Sequence, residues 1–138
     1  KRFDTRFFAI ALPPGHEVSA DQSELTHHAW VRPERASEAI ERGEIRVVPP
    51  TLLTLEDLAE SHATHGGLEA MLVAERGRAA PAVMPRIDAA TGELRVVMPW
   101  DPGYAEAPGE GRVPADGFPS HLLRRRSCIV VSRGREAR

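Results

Sequence analysis

Charged residues alternate at the start of the chain, where Arg2, Asp4 and Arg6 are spaced two apart. In a β-strand this spacing places the three side chains on one face, with Phe3 and Phe7 on the other. Two guanidinium groups about 13 Å apart would be able to contact phosphate groups. A cross-strand ion-pair ladder around Asp4 explains the same pattern equally well.

Histidine and cysteine spacing does not predict a metal site within the chain. His27 and His28 are adjacent in a predicted strand, so their side chains point to opposite faces. His62 and His65 are three apart at a helix end, but no glutamate accompanies them as in the H-E-x-x-H motif. The single Cys128 lies in an apolar strand pattern, where a small core residue is expected.

Composition narrows the class of protein. The 138 residues are 41% hydrophobic and 28% charged, which is typical of one globular domain. The net charge of −2 gives no bulk attraction to nucleic acid or anionic lipid, and the Arg124–Arg126 cluster has no aromatic platform beside it. Because one cysteine cannot form an internal disulfide and no run of about 18 apolar residues occurs, a cytoplasmic protein without a membrane partner is expected.

Hydrophobic periodicity predicts the elements that must position these residues. Alternation predicts strands over 2–11 and 24–31, the second ending just past Trp30, which is expected in the core. Proline positions and apolar stripes predict the helices, and alternation around Gly92 predicts a hairpin. The remaining expectations are helices over about 33–43, 51–61 (capped by Thr51) and 68–75, an irregular segment over 100–120 and a strand over 127–132.

Several features of the first sixty residues occur together. They are the Arg-Phe-Asp-Thr-x-Phe-Phe strand at 2–8, Glu24 six residues before Trp30, a Pro-led helix, and Pro-Pro-Thr at 49–51. In order and spacing they resemble the C-terminal half of Nudix hydrolases, in the branch with the peroxisomal acyl-coenzyme A diphosphatases. The later PAVMPRID and GELRVVMPWDPGY are similar to the tail of bacterial members.

The resemblance implies an α/β fold, a Nudix-type α/β/α sandwich with a mixed sheet, of which this chain is the C-terminal part. Residues 1–104 would belong to the Nudix domain, and 105–138 would complete it with a loop and a final strand. The implied reaction is metal-dependent hydrolysis of a diphosphate linkage in a nucleotide-derived or coenzyme A-like small molecule. The chain would supply the substrate-side wall through Arg2, Asp4, Arg6 and Glu24, and no catalytic residue is assigned.

The family's metal-binding box, G-x5-E-x7-R-E-U-x-E-E-x-G-U, does not occur, and the sequence contains no Glu-Glu pair. The Mg²⁺ or Mn²⁺ implied by the resemblance would therefore be held by ligands outside this chain. The absence of an initial Met and the abrupt start also favour a fragment with a missing N-terminal segment. The alternative is a non-catalytic ligand-binding or protein-interaction domain derived from the Nudix fold; a homodimer is compatible with either.

Overall fold

The computed structural model describes residues 5–20, 23, 28–90 and 92–131. The chain divides into two compact units, Lys1–Arg78 and Ala79–Arg138. Among the described residues, the first unit contains three helices and the second contains a three-stranded antiparallel sheet with one short helix. Within these ranges, no helix combines the length and apolar character needed to cross a membrane.

The first helix, α1 (Pro33–Glu41), lies within the predicted range. Proline suits the first helical turn because the amide hydrogen it lacks would have no partner there. Ala36 and Ala39, which belong to the predicted apolar stripe, are buried. The chain then turns at Gly43, whose φ of 72° lies in the left-handed region that favours glycine.

The second helix, α2 (Pro49–His65), is longer than predicted at both ends. Both prolines of the Pro49-Pro50 pair lie inside the helix, and the residue before it is Val48, so the prediction of Thr51 as the cap was wrong. Gly66 ends the helix with a φ of 72°. The third helix, α3 (Leu68–Glu75), has the predicted bounds.

A polar network joins α2 to α3 and to the residue that ends the unit. The buried Ser61 hydroxyl donates a 2.5 Å hydrogen bond to Glu75 Oε1. Arg78 Nε lies 2.6 Å from Glu75 Oε2, and its Nη2 contacts the Asp57 carboxylate. The carboxylate of Glu75 is therefore shared by a neutral donor and a guanidinium, which fixes the second and third helices against each other.

The sheet unit is built from β1 (Arg86–Asp88), β2 (Leu94–Val97) and β3 (Cys128–Val131), in that spatial order. Both pairings are antiparallel, and Gly92 lies in the β1–β2 hairpin with a φ of 83°, so the predicted hairpin and final strand are confirmed. A four-residue helix, α4 (Ser120–Leu123), precedes β3. The buried hydrophobic residues of this unit are Val96, Val97, Met98, Tyr104 and Ile129.

The described residues therefore combine helices with a small antiparallel sheet, which is the coarse α/β character expected from the sequence. The strand predicted over 2–11 is not observed in its described part. Residues 5–11 have no regular secondary structure, and Phe8 is 89% exposed. A strand requires a hydrogen-bonded neighbour, and among the described residues none pairs with this segment.

The second predicted strand is also absent from 28–31, and 24–27 lie outside the described residues. Trp30 is 76% exposed, so its predicted place in the core was wrong. An indole is packed only when neighbouring elements cover it, and no strand forms around this one in the described residues. Apolar alternation predicts which side chains share a face, but it does not supply the pairing partner that a strand requires.

The exposed aromatic pair Phe7 and Phe8 should make the purified chain self-associate. Phe7 is 51% exposed, and Ile10 beside them is 79% exposed. We expect the double substitution Phe7→Ser with Phe8→Ser to shift sedimentation profiles toward smaller species, because exposed apolar patches drive association. Val73→Ser, at a 69% exposed site on α3, is the matched control. A monodisperse parent chain at high concentration would contradict this expectation.

Candidate functional site

The predicted substrate-binding residues lie in the first unit. Arg6 is exposed in a segment without regular secondary structure. Arg2, Asp4 and Glu24 lie outside the described residues. The described structure therefore contains one of the four predicted residues, and the predicted pair of guanidinium groups remains a prediction.

Metal-ligating side chains are not grouped in the described ranges. Within 5–20, 23, 28–90 and 92–131, no three His, Cys, Asp or Glu residues are placed to hold an ion. His62, at the helix end singled out in the sequence, has Nδ1 2.8 Å from Glu34 Oε1. This pair links α1 to α2 near the surface, which gives His62 a structural partner.

A charged cluster lies on the sheet face that carries Arg95. Its Nη1 is 3.8 Å from Asp88 Oδ2, on the neighbouring strand. A side-chain hydrogen bond with Cys128, together with the negative charges of Asp88 and Asp101, raises the pKa of Arg95. The guanidinium thus lies among groups that favour its charged form.

Asp101 is held rigidly beside this cluster. Its Oδ1 accepts a 2.8 Å hydrogen bond from the Gly103 backbone, and its Oδ2 accepts a 2.7 Å bond from the Ser127 hydroxyl. Two carboxylates and one guanidinium leave the cluster with a formal excess of negative charge. The cluster is therefore poorly suited to binding a phosphate. Its polar contacts instead connect the strands to the neighbouring loop.

The most extensive polar arrangement in the described residues surrounds Arg86. Its Nη1 donates to the carbonyl oxygens of Tyr104 (2.8 Å), Ala105 (2.7 Å) and Ala107 (2.9 Å). The guanidinium carbon lies 4.7 Å from the centre of the Tyr104 ring. We refer to Arg86, these carbonyls and the tyrosine as the Arg86 cradle.

The Tyr104 hydroxyl extends this arrangement to a further loop. It donates a 2.6 Å hydrogen bond to the Met84 carbonyl and accepts a 2.9 Å bond from the Arg112 backbone. A Cβ built on Gly111 would lie 2.6 Å from Arg86 Nε and even closer to the tyrosine hydroxyl. Position 111 therefore accommodates only glycine unless the side chains of the Arg86 cradle move.

The three carbonyl oxygens and the tyrosine hydroxyl of the Arg86 cradle are hydrogen-bonded within the unit, whereas the buried Arg86 Nε has no hydrogen-bond partner in the described structure. The cradle therefore organises a loop. The sequence does not predict this arrangement. Arg86, Tyr104 and Gly111 are far apart, and the segment over 100–120 was predicted only to be irregular. The one tyrosine of the sequence, set in a Pro- and Gly-rich stretch, is a signal that would have indicated a packed loop, but it does not identify Arg86 as the partner.

Comparison with known proteins identifies no relative. No family model matches the chain, and neither the curated proteins nor the solved structures contain a significant match. Fold and function are thus not assigned by these comparisons.

Proposed function

We propose that this chain forms the substrate-side wall of a Nudix-type hydrolase that cleaves a diphosphate linkage in a nucleotide-derived or coenzyme A-like molecule. The domain would be an α/β/α sandwich completed by a further polypeptide segment. The proposal starts from the ordered sequence features over 2–8, Glu24 and Trp30, and Pro-Pro-Thr at 49–51.

The structural observation behind the proposal is the exposure of the segment 5–11, which supports the part that assigns a neighbouring strand to a further segment. Phe7, Phe8 and Ile10 are all exposed, although their sequence pattern is that of a strand. An alternating apolar segment that pairs with no strand among the described residues is consistent with a strand whose neighbour belongs to a different segment. The exposed Trp30 fits the same explanation, since a neighbouring layer would cover it.

In this proposal Arg6 binds the substrate phosphates. Its guanidinium donates paired hydrogen bonds to phosphate oxygens, and it stabilises the negative charge that develops there when water attacks phosphorus. Arg2, two strand repeats away, would contact the neighbouring phosphate. Asp4 lies between them in the sequence and would orient the two guanidinium groups.

The described residues do not fit the divalent ion that the resemblance implies, because they contain no group of three metal-ligating side chains. The glutamate box does not occur in the sequence either. The proposal therefore assigns the metal ligands to the further segment. This chain's own contribution is substrate binding and charge stabilisation.

The purified 138-residue chain is expected not to hydrolyse coenzyme A, ADP-ribose or a dinucleoside polyphosphate with Mg²⁺ or Mn²⁺. The reason is that the sequence lacks the glutamate box, so the chain does not supply the metal ligands needed to activate the attacking water. The measurement is phosphate-product release by chromatography, with and without a chelator. Chelator-sensitive turnover by the chain alone would contradict the assignment of the ligands to another segment.

The positive test expresses the chain fused to the segment that is encoded next to it in its gene. The joined protein is expected to carry a glutamate box and to hydrolyse at least one of these substrates. If that coding sequence encodes no such box and the joined protein is inactive, the hydrolase proposal is overturned. Saturable binding of the same compounds without turnover would then support the non-catalytic alternative.

A further inference from the structure

The outer edge of β3 has unpaired backbone groups. In the part of the chain that the structure describes, β3 pairs with β2 and with no other strand. The Met98 amide donates a 2.8 Å hydrogen bond to the Ser127 carbonyl. Because hydrogen-bonded pairs alternate along an antiparallel ladder, the register also directs the backbone amide and carbonyl groups of Ile129 and Val131 toward β2. The amide and carbonyl groups of Cys128 and Val130 consequently point away from the sheet.

This edge lacks the features that normally protect edge strands. The strand Cys128–Val131 contains no charge, no proline and no bulge, and Val130 is 52% exposed. The opposite edge differs: β1 turns only the Ile87 backbone outward, between the charged Arg86 and Asp88. The edge of β3 is therefore the more favourable one for strand addition.

We propose that β3 pairs antiparallel with β3 of a second copy of this chain, giving a continuous six-stranded sheet. In this pairing the outward backbone groups of Cys128 lie opposite those of Val130 in the second copy, and those of Val130 lie opposite Cys128 in the second copy. Ile129 lies opposite Ile129 of the second copy. Each outward amide then meets an outward carbonyl, so the edge is complementary to itself under a two-fold axis.

A second copy satisfies this edge better than strand β1 of another molecule. Pairing β3 with β1 of another molecule would set the two outward residues of β3 against the single outward residue of β1. Such an assembly would also continue indefinitely, since each added molecule would leave one β3 edge and one β1 edge open at the ends. The two-fold pairing closes after two copies and covers the exposed face of Val130 with Cys128. Its four backbone hydrogen bonds make a small interface, so the dimer should be weak and concentration-dependent.

The first test uses proline at matched positions. Val130→Pro removes an outward amide, and Ile87→Pro removes the equivalent one on β1; neither amide belongs to the intramolecular ladder. Both are made in the Phe7→Ser, Phe8→Ser background, which removes association through the first segment. In sedimentation equilibrium we expect Val130→Pro to weaken dimerisation at least tenfold and Ile87→Pro to leave it within twofold. Equal dimerisation of both would overturn the proposal.

The second test fixes the register and does not depend on proline being tolerated. Val130→Cys, with Cys128 retained, places two thiols in directly opposed backbone pairs about 5.5 Å apart, within disulfide range. Oxidation with diamide is expected to give a covalent dimer joined between positions 128 and 130. Adding Cys128→Ser should remove that product. Failure of Val130→Cys to cross-link, or equal cross-linking after Cys128→Ser, would overturn the proposed pairing.

Discussion

Replacing Arg86 with methionine is expected to lower the free energy of unfolding by about 3–5 kcal/mol. The guanidinium donates to three carbonyl oxygens and covers the Tyr104 ring, and hydrogen bonds to a charged group contribute about 1.5–3 kcal/mol each. The total stays below their sum because such contributions are not additive and one of the three lies at the surface. Chemical denaturation followed by circular dichroism measures the change.

Two further variants make this result interpretable. Arg86→Lys keeps the charge but not the planar fork, so it should recover less than half of the loss. Arg124→Met removes an exposed arginine and should change stability by no more than about 0.5 kcal/mol. An Arg86→Met protein as stable as the Arg124→Met control would show that the cradle contributes little to folding.

Arg6→Ala is expected to reduce kcat/KM by roughly ten- to a hundredfold in the joined, active protein. That range corresponds to the loss of a charge-assisted contact of about 1.5–3 kcal/mol in the transition state. The melting temperature should change little, because an exposed arginine contributes at most about 1 kcal/mol to folding. Steady-state kinetics and thermal denaturation on the same preparation separate these effects.

Arg6→Lys provides the matched comparison. Lysine is a point charge and replaces a forked phosphate contact poorly, whereas it retains much of an ion pair with Asp4. The phosphate-binding role therefore predicts slow turnover in both variants. Loss of stability with intact kinetics would instead identify the charges as a structural ladder, and unchanged kinetics in both would remove Arg6 from the active site.

The sequence predicted best those elements whose stability is local. The bounds of α3 and the existence of α1 follow from apolar spacing and from Pro33, since a helix satisfies its own backbone hydrogen bonds. The hairpin around Gly92 was equally predictable from the sequence, because its two strands are neighbours in the chain. The start of α2 was misplaced by two residues because prolines can occupy the first helical turn.

Elements that depend on distant partners were less predictable. Alternation over 2–11 specifies which side chains share a face but not which strand lies beside it, and residues 5–11 form no strand. Residue type alone predicts a buried Trp30, but burial depends on what covers the indole, and Trp30 is exposed. The Arg86 cradle assembles residues 18 or more positions apart in the sequence, and no local pattern indicates it.

Because a methyl group at position 111 would collide with both Arg86 and Tyr104, these three sites cannot vary independently. A larger residue at 111 becomes tolerable only when the tyrosine or the arginine has already become smaller. Mutational drift through this loop should therefore follow an ordered path, with single changes at 111 disfavoured until a second site has changed. In a pairwise library, Gly111→Ala should cost less stability in a Tyr104→Leu background than in the parent.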